Sequence, residues 1–173
     1  MDVRAGMGMN GHGRTVHLYG YPCAGKTTIG SRLAQEMGRA VILDGDYIRK
    51  YLSSDLGFSN KDRIENSRRI GNYAALLNDQ GFDTVICTVA PHRKCRKIIR
   101  DTVIDYTSVY IDTPLEICKS RDTKGMYKEA IEGTRKGFTG VHEFIDMGAP
   151  DIIVRPAPLP AQVQYIMLQS AGN

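Results

Sequence analysis

The chain has 173 residues, of which 42% are hydrophobic and 24% charged, values typical of one globular domain with a sizeable core. Its net charge of +4 is too small and too dispersed to indicate a nucleic-acid-binding protein, although it suits small anionic ligands. No apolar run is long enough to span a membrane, so we expect no membrane partner.

The four cysteines are scattered, without a C-x-x-C pair or histidines at zinc-binding spacing: Cys23, Cys87, Cys95 and Cys118. This distribution favours reduced thiols and a cytoplasmic protein, and we expect no signal peptide. Residues 1–13 are rich in Gly and Met and lack periodicity, which predicts a mobile tail before a single domain over residues 14–173. His12 and His17 are interpreted as incidental rather than as metal ligands.

The first predicted element is a short strand over Thr15–Tyr19, and Ile29, Leu33 and Met37 recur further on at helical spacing. Between them lies a phosphate-loop pattern, in which two glycines bracket four residues and a Lys-Thr pair follows. A strand, this loop and a helix together predict a nucleoside triphosphate site. The residues predicted to bind ATP are Gly20, Tyr21, Pro22, Cys23, Ala24, Gly25, Lys26, Thr27 and Thr28.

We predict a specific chemical property for three side chains of this loop. Lys26 places a positive charge on the outer phosphates and is a predicted catalytic residue. The hydroxyl of Thr27 is a predicted Mg²⁺ ligand. Cys23 lies beside Lys26 and a helix N-terminus, which predicts a lowered thiol pKa and easy alkylation that bound ATP would block.

A second strand over Ala40–Leu43 runs into two carboxylates, Asp44 and Asp46. The carboxyl ends of strands are where ligands bind in open α/β sheets. Asp44 could therefore hold Mg²⁺ and Asp46 could orient the acceptor hydroxyl in phosphoryl transfer, which makes both candidate catalytic residues. An acidic turn that caps a helix is the alternative explanation of the same pattern.

The following elements alternate in type. We predict a helix from about Asn60 to Gln80, a strand over Asp83–Val89, a basic helix from about Arg93 to Ile104, and a strand over Ser108–Ile111. Such alternation predicts an α/β fold with a parallel sheet covered by helices on both faces.

Residues from about 121 to 145 are basic and punctuated by glycine. They predict a mobile lid that closes over the transferring phosphate, and a solvated surface loop is the alternative. A last strand over Asp151–Val154, a linker over Pro156–Pro160 and a helix over Gln162–Leu168 complete the domain.

Beyond the phosphate loop, an ordered series of motifs resembles the adenylyl-sulfate kinase (APS kinase) family of P-loop kinases over roughly Thr15 to Val154. The motifs are Leu43-Asp44-Gly45-Asp46, Asp55-Leu56-Gly57-Phe58-Ser59, Asp62-Arg63 with Glu65-Asn66 and Arg68-Arg69, Ala90-Pro91-His92-Arg93, Pro114-Leu115-Glu116, Arg121-Asp122 with Lys124-Gly125-Met126-Tyr127, and Phe138-Thr139-Gly140-Val141. Jointly they are far more specific than the phosphate loop alone.

The resemblance implies an ATP- and Mg²⁺-dependent kinase that phosphorylates the 3′-hydroxyl of adenosine 5′-phosphosulfate to give PAPS, within sulfate assimilation. It also implies that Phe58 and Phe138 sandwich the acceptor's adenine, that Arg121 contacts ATP, and that the protein is a homodimer. The substrate-binding residues that it implies are Asp46, Arg49, Phe58, Arg63, Asn66, Val89, Ala90, Lys124 and Phe138. Arginines suit phosphate and sulfate oxygens, and flat rings suit a purine.

Three positions depart from the family pattern: Ala90 replaces a frequent serine, Tyr47 a frequent asparagine, and Cys23 a serine or glycine. Because Ala90 has no hydroxyl, a phosphoserine cannot form there, and we expect direct transfer. Because Tyr47 could alter the acceptor pocket, a paralogous kinase acting on another nucleotide, such as a cytidine diphosphoramidate for surface polysaccharide, is an alternative. A nucleotide-binding module without catalysis is another.

Overall fold

The computed structural model describes residues 11–170, so residues 1–10 of the predicted tail lie outside the described residues. The strands are β1 Thr15–Tyr19, β2 Ala40–Asp44, β3 Asp83–Thr88, β4 Tyr106–Ile111 and β5 Ile152–Val154. The helices are α1 Lys26–Met37, α2 Gly45–Tyr51, α3 Asn60–Asp79, α4 Arg93–Thr102, α5 Leu115–Ser120, α6 Met126–Ile131 and α7 Leu159–Ser170.

The strands form one parallel sheet in the order β2-β3-β1-β4-β5 within residues 11–170. This confirms the predicted α/β fold. β1 lies in the centre, with Tyr19 paired to Thr88 of β3 and to Tyr110 of β4. All carboxyl ends therefore meet at one edge of the sheet, where the loops after β1, β2 and β3 come together.

Helices cover both faces of the sheet. On one face, Ile29 and Leu33 of α1, Ile166 of α7 and Val85 of β3 belong to one buried apolar cluster. On the other face, residues of α3 and α4 pack against Ile86, the next residue of the same strand. Successive side chains of a strand point to opposite faces, so burial on both sides explains why the strands are buried along almost their whole length, with polar side chains such as His17 among the apolar ones.

α1 packs closely against β3. A Cβ atom at Gly30 would lie 2.4 Å from Cys87 Sγ, so glycine lets the helix approach the strand without displacing that side chain. Since α1 begins at Lys26, this contact helps to set the height of the phosphate loop above the sheet.

Several predicted boundaries differ from the structure. The basic helix ends at Thr102 because Val103 is already extended, and β4 begins two residues earlier than predicted. The last helix begins at Leu159, inside the predicted linker, since a proline is tolerated in the first turn. Gly13, the last residue of the predicted tail, is buried and its amide donates to the carbonyl of Asn78 at 2.9 Å.

Among residues 11–170, no helix combines the length and the apolar character needed to cross a membrane.

Candidate active site

The phosphate loop connects β1 to α1, as the sequence predicts. Gly25 caps the helix with a φ of 98°, a left-handed conformation that favours glycine. Lys26 folds back over the loop, and its ammonium donates to the carbonyls of Gly20 at 3.0 Å and Tyr21 at 2.6 Å. Burial lowers the pKa of Lys26. A half-buried ammonium that is held by carbonyl groups can exchange them for phosphate oxygens.

Two clefts flank this loop. The first, here called the aspartate cleft, has a volume of about 390 Å³ and lies over the carboxyl ends of β2 and β3. It brings together fourteen of the predicted site residues: Pro22, Cys23, Lys26, Thr27, Asp44, Asp46, Arg49, Phe58, Arg63, Asn66, Val89, Ala90, Lys124 and Phe138.

The second cleft, here called the α7 cleft, has a volume of about 560 Å³ and lies on the other side of the loop. Its predicted members are Cys23, Ala24, Gly25, Lys26, Thr27, Thr28 and Arg121. Its far wall was not among the predicted residues and consists of Thr113, Pro156, Ala157, Leu159 and Gln162. The position of the Pro156 segment directly after a parallel strand could have indicated it. Gly20 and Tyr21 line neither cleft and instead hold Lys26 through their carbonyls.

Thr27 and Asp44 are in direct contact in the wall of the aspartate cleft. The Thr27 hydroxyl donates to Asp44 Oδ2 at 2.7 Å, and Asp44 Oδ1 accepts the amide of Asp46 at 2.9 Å. Asp44 thus caps α2, as the alternative interpretation of the acidic turn predicts, and its role toward Mg²⁺ stays a prediction. Hydroxyl and carboxylate oxygens are ligands that Mg²⁺ prefers, and a site with two protein ligands leaves room for phosphate oxygens.

Within residues 11–170, no three His, Cys, Asp or Glu side chains cluster as a metal cage. His17 is buried in the sheet, and His12 pairs with Asp79 at 3.2 Å.

Asp46 lies at the mouth of the aspartate cleft, where its carboxylate is open to solvent. Lys124 approaches it from the predicted lid, with an Nζ–Oδ2 distance of 3.5 Å. Both side chains are mostly exposed, at 85% for Asp46 and 69% for Lys124. Such a solvated pair contributes little to stability and is easily opened by a ligand.

Two arginines surround Phe58, whose side chain is itself 58% exposed. The guanidinium of Arg49 lies 4.4 Å from the ring centroid and donates to the carbonyl of Gly57 at 2.7 Å. Arg63 donates to the carbonyls of Phe58 at 2.9 Å and Gly137 at 2.8 Å. Arg63 therefore links the two segments that carry the predicted aromatic pair, and Arg49 braces one of the rings.

Phe138 has a different environment from Phe58. Its ring packs against the core and meets Tyr127 edge to face, with the centroids 5.0 Å apart. Phe138 therefore has a structural role in addition to its place in the cleft wall.

Glu143 is a residue that the sequence analysis did not identify. It accepts from Thr139 Oγ1 at 2.7 Å, pairs with Arg63 Nη2 at 2.7 Å, and lies 3.4 Å from His92 Nε2. These contacts hold residues 137–143 against the start of α3. The only indication in the sequence is its position next to the Phe138–Val141 motif, because a pair separated by eighty residues leaves no periodic pattern.

Asn66 lines the aspartate cleft and carries an unsatisfied acceptor. Its side chain is 6% exposed, and Oδ1 has no hydrogen-bond partner among the described residues. A buried carbonyl oxygen without a donor is costly, so this atom is suited to accept from a bound ligand.

Ala90 has a φ of 38°, which is uncommon for a residue other than glycine. Its carbonyl accepts from Arg96 Nη1 at 2.6 Å, and Arg96 also donates to the carbonyls of Asp146 and Met147. The guanidinium lies 4.3 Å from the centroid of the Tyr19 ring. Arg96, another residue that the sequence analysis missed, thus holds the strained main chain that lines the cleft.

The structure changes two expectations about residues that differ from the family pattern, Cys23 and Tyr47. Burial and the carboxylate of Asp122 raise the pKa of the Cys23 thiol and outweigh the charges of Lys26 and Lys124. The predicted lowering of the Cys23 pKa is therefore wrong. Tyr47 is 66% exposed and stacks on Tyr51 with centroids 6.3 Å apart, and it does not line the aspartate cleft.

The comparisons with known proteins agree with this geometry. A family model described as adenylylsulphate kinase matches residues 12–155. The adenylyl-sulfate kinase of Synechococcus sp. (strain JA-3-3Ab) is 40% identical over 139 residues, which cover 78% of this chain and 79% of that protein.

Solved structures resemble the chain over almost its full length. The Mycobacterium tuberculosis APS kinase CysC in complex with AMPPNP and APS has a TM-score of 0.86 at 33% identity, covering 92% of this chain and 98% of that chain. A hexameric APS kinase from Thiobacillus denitrificans has a TM-score of 0.67 at 26% identity, covering 93% of this chain and 29% of that chain.

Proposed function

The chain belongs to the adenylylsulphate kinase family, and we propose that it transfers the γ-phosphoryl group of ATP to the 3′-hydroxyl of adenosine 5′-phosphosulfate, forming PAPS. The observation that carries this proposal is that Cys23, Lys26 and Thr27 line both clefts. A donor in one cleft and an acceptor in the other would meet at the phosphate loop. Phosphoryl transfer requires such an in-line arrangement.

ATP would occupy the α7 cleft. Its phosphates would lie on the loop, its base near the Pro156–Gln162 wall, and Arg121 would contribute a cation from the lid. Lys26 would exchange its two carbonyl partners for oxygens of the transferring group and so stabilise the charge that develops there.

Thr27 and Asp44 would hold Mg²⁺, which supplies, when bound, a positive charge against the phosphate oxygens. Asp46 would contact the 3′-hydroxyl of the acceptor and hold it in position for attack. Its exposed pairing with Lys124 would open as the acceptor enters, which leaves Lys124 free for the anionic substrate.

The acceptor would occupy the aspartate cleft. Phe58 and Phe138 would stack on its adenine, and Arg49 and Asn66 would bind the phosphosulfate group with the main chain of Val89 and Ala90. Arg63 already uses Nε and Nη2 on the carbonyls of Phe58 and Gly137, so its contribution would be chiefly to hold the two rings apart at a fixed spacing.

We further infer a homodimer that works in the cytoplasm within sulfate assimilation, with residues 121–145 as its lid. The homodimer and the pathway rest on the family resemblance, and one solved relative is hexameric. The location rests on the four cysteines, which are all free, as expected in a reducing compartment.

A coupled assay of ADP formation tests the proposal. The purified full chain is supplied with ATP, Mg²⁺ and one acceptor at a time, including adenosine 5′-phosphosulfate, adenosine 5′-phosphate and a cytidine diphosphoramidate. We expect a much higher kcat/KM for the phosphosulfate than for the others, and Lys26→Ala is the inactive control. Preference for the cytidine compound would instead establish the paralogous kinase.

A further inference from the structure

Three polar side chains form a chain of hydrogen bonds through the buried sheet. His17 Nδ1 lies 2.8 Å from the hydroxyl of Tyr106, and His17 Nε2 lies 2.7 Å from Thr88 Oγ1. His17 is completely buried in the central strand. Thr88 is at the carboxyl end of the neighbouring strand and lines the aspartate cleft. The chain of bonds therefore leads from the inside of the fold to the candidate acceptor site.

The imidazole in the middle of this chain is neutral. Burial and the nearby charge of Arg96 lower the pKa of His17 to about 3. A neutral imidazole carries one N–H group, so one of its nitrogens donates and the other accepts. The direction of one of its two hydrogen bonds thus determines the direction of the other.

The hydroxyl of Tyr106 determines which nitrogen of His17 carries the proton. A phenol oxygen is weakly basic because its lone pair is delocalised into the ring, whereas an imidazole nitrogen is a good acceptor. Tyr106 therefore donates to His17 Nδ1, which leaves the proton of the imidazole on Nε2. That N–H donates to Thr88 Oγ1, so the Thr88 hydroxyl must direct its own hydrogen elsewhere.

The surroundings of Thr88 leave this hydrogen available to a ligand. Within residues 11–170, no carbonyl or carboxylate oxygen is hydrogen-bonded to the Thr88 hydroxyl. Tyr19 pairs with Thr88, and Asp44 pairs with the preceding residue, so Thr88 lies between the phosphate loop and the paired aspartates. Ala90, two residues further on, belongs to the same wall.

We propose that Thr88 is a specificity-determining residue that donates its hydroxyl hydrogen to an oxygen of the acceptor, and that His17 and Tyr106 are positioning residues that fix its orientation. This inference rests on the proposed function only in that the acceptor occupies the aspartate cleft. A simple structural role, in which the three groups merely satisfy one another in the core, makes no distinction between acceptor and ATP.

Kinetics of matched variants separate these two roles. Thr88→Val keeps the shape of the side chain and removes its hydroxyl, and Thr88→Ser keeps the hydroxyl. We expect Thr88→Val to raise the KM of the acceptor about three- to tenfold while the KM of ATP stays within about twofold, as loss of one hydrogen bond predicts. Thr88→Ser should recover most of the acceptor affinity. Thr102→Val, which removes a hydroxyl bonded to the Ile98 carbonyl outside both clefts, is the control.

Equal changes in both KM values for Thr88→Val, or no change in either, would overturn the assignment of Thr88. If the unmodified protein phosphorylates a different acceptor, the same comparison is made with that acceptor, so that failure of the proposed function is distinguished from failure of this inference.

Nitrogen-15 NMR of the histidines in the full chain tests the relay without any substrate. We expect His17 to be the Nε2–H tautomer in the unmodified protein and a mixture of tautomers in Tyr106→Phe, with a raised acceptor KM in that variant. An Nδ1–H tautomer in the unmodified protein would reverse the direction of both hydrogen bonds and refute the positioning role.

Discussion

The hydroxyl of Thr27 and the carboxylate of Asp44 are joined by a hydrogen bond of 2.7 Å, although they lie seventeen positions apart in the chain. The bond connects the start of α1 to the end of β2. The hydrogen bond alone therefore places the two predicted Mg²⁺ ligands side by side. The same carboxylate caps α2 through the amide of Asp46, so its position is fixed from two sides.

Thr27→Ala should raise the Mg²⁺ concentration needed for half-maximal activity, because one of two oxygen ligands is lost. The fold should be unaffected, since the Thr27 side chain is exposed. Titration of the kinase rate with Mg²⁺ at saturating ATP measures the effect, and Thr27→Ser is the matched control. An unchanged Mg²⁺ requirement in Thr27→Ala would exclude Thr27 as a ligand.

Lys26→Ala should fold and bind the acceptor but lose at least about a hundred- to a thousandfold in kcat, as expected when a cation is removed from a transferring phosphoryl group. Some loss of thermal stability should accompany it, because the ammonium bonds to two loop carbonyls. Lys119→Ala, a change on α5 outside both clefts, provides the control. Near-normal turnover in Lys26→Ala would refute the catalytic role.

Phe58→Ala and Phe138→Ala should each weaken acceptor binding by about 1–3 kcal/mol, the range for stacking of a base on an aromatic ring, with little effect on ATP. Only Phe138→Ala should also lower the melting temperature, because Phe138 packs on Tyr127 whereas Phe58 is exposed. Isothermal titration with each nucleotide and thermal unfolding measure the two effects.

Phe144→Ala removes an exposed ring outside both clefts and is the control for these variants. Equal losses of ATP and acceptor binding would show that the two rings support the fold rather than the adenine. Arg49→Ala should likewise affect the acceptor far more than ATP, since Arg49 lines only the aspartate cleft.

Cys23 should react with iodoacetamide more slowly at pH 7 than an ordinary exposed thiol. Its raised pKa means a smaller thiolate fraction at that pH, and the rate should keep rising above the pH at which an ordinary thiol levels off. Bound ATP should slow the reaction further. Peptide mapping identifies the labelled site, and Cys23→Ser is the control. Fast labelling at pH 7 would contradict the raised pKa.

The features that could be predicted are those formed by residues close together in the sequence. The phosphate loop, its flanking strand and helix, and the parallel sheet follow from residue spacing and from the alternation of strands with helices, and the structure confirms them. The two aspartates lie at the carboxyl end of β2, where the strand pattern predicts them, with Asp44 as the last residue of the strand and Asp46 in the first turn of α2.

Contacts between distant segments could not be predicted in this way. Glu143 meets Arg63, Arg96 holds the Ala90 carbonyl and His17 meets Thr88 only after the chain has folded, and none of these pairs has a characteristic spacing. The direction of the Cys23 pKa shift could not be predicted for a related reason. Nearby charges are visible in the sequence, whereas the desolvation that outweighs them depends on the packing around the loop.

The central claim is that the γ-phosphoryl group passes directly from ATP to the 3′-hydroxyl of adenosine 5′-phosphosulfate. It is tested most directly with ATP made chiral at the γ-phosphorus, by reading the position and configuration of the phosphate in the product. We predict a 3′-phosphorylated product with inverted configuration, because Ala90 offers no hydroxyl for a covalent intermediate and one displacement inverts the phosphorus. Retention of configuration, or a phosphate on any other position, would contradict the account.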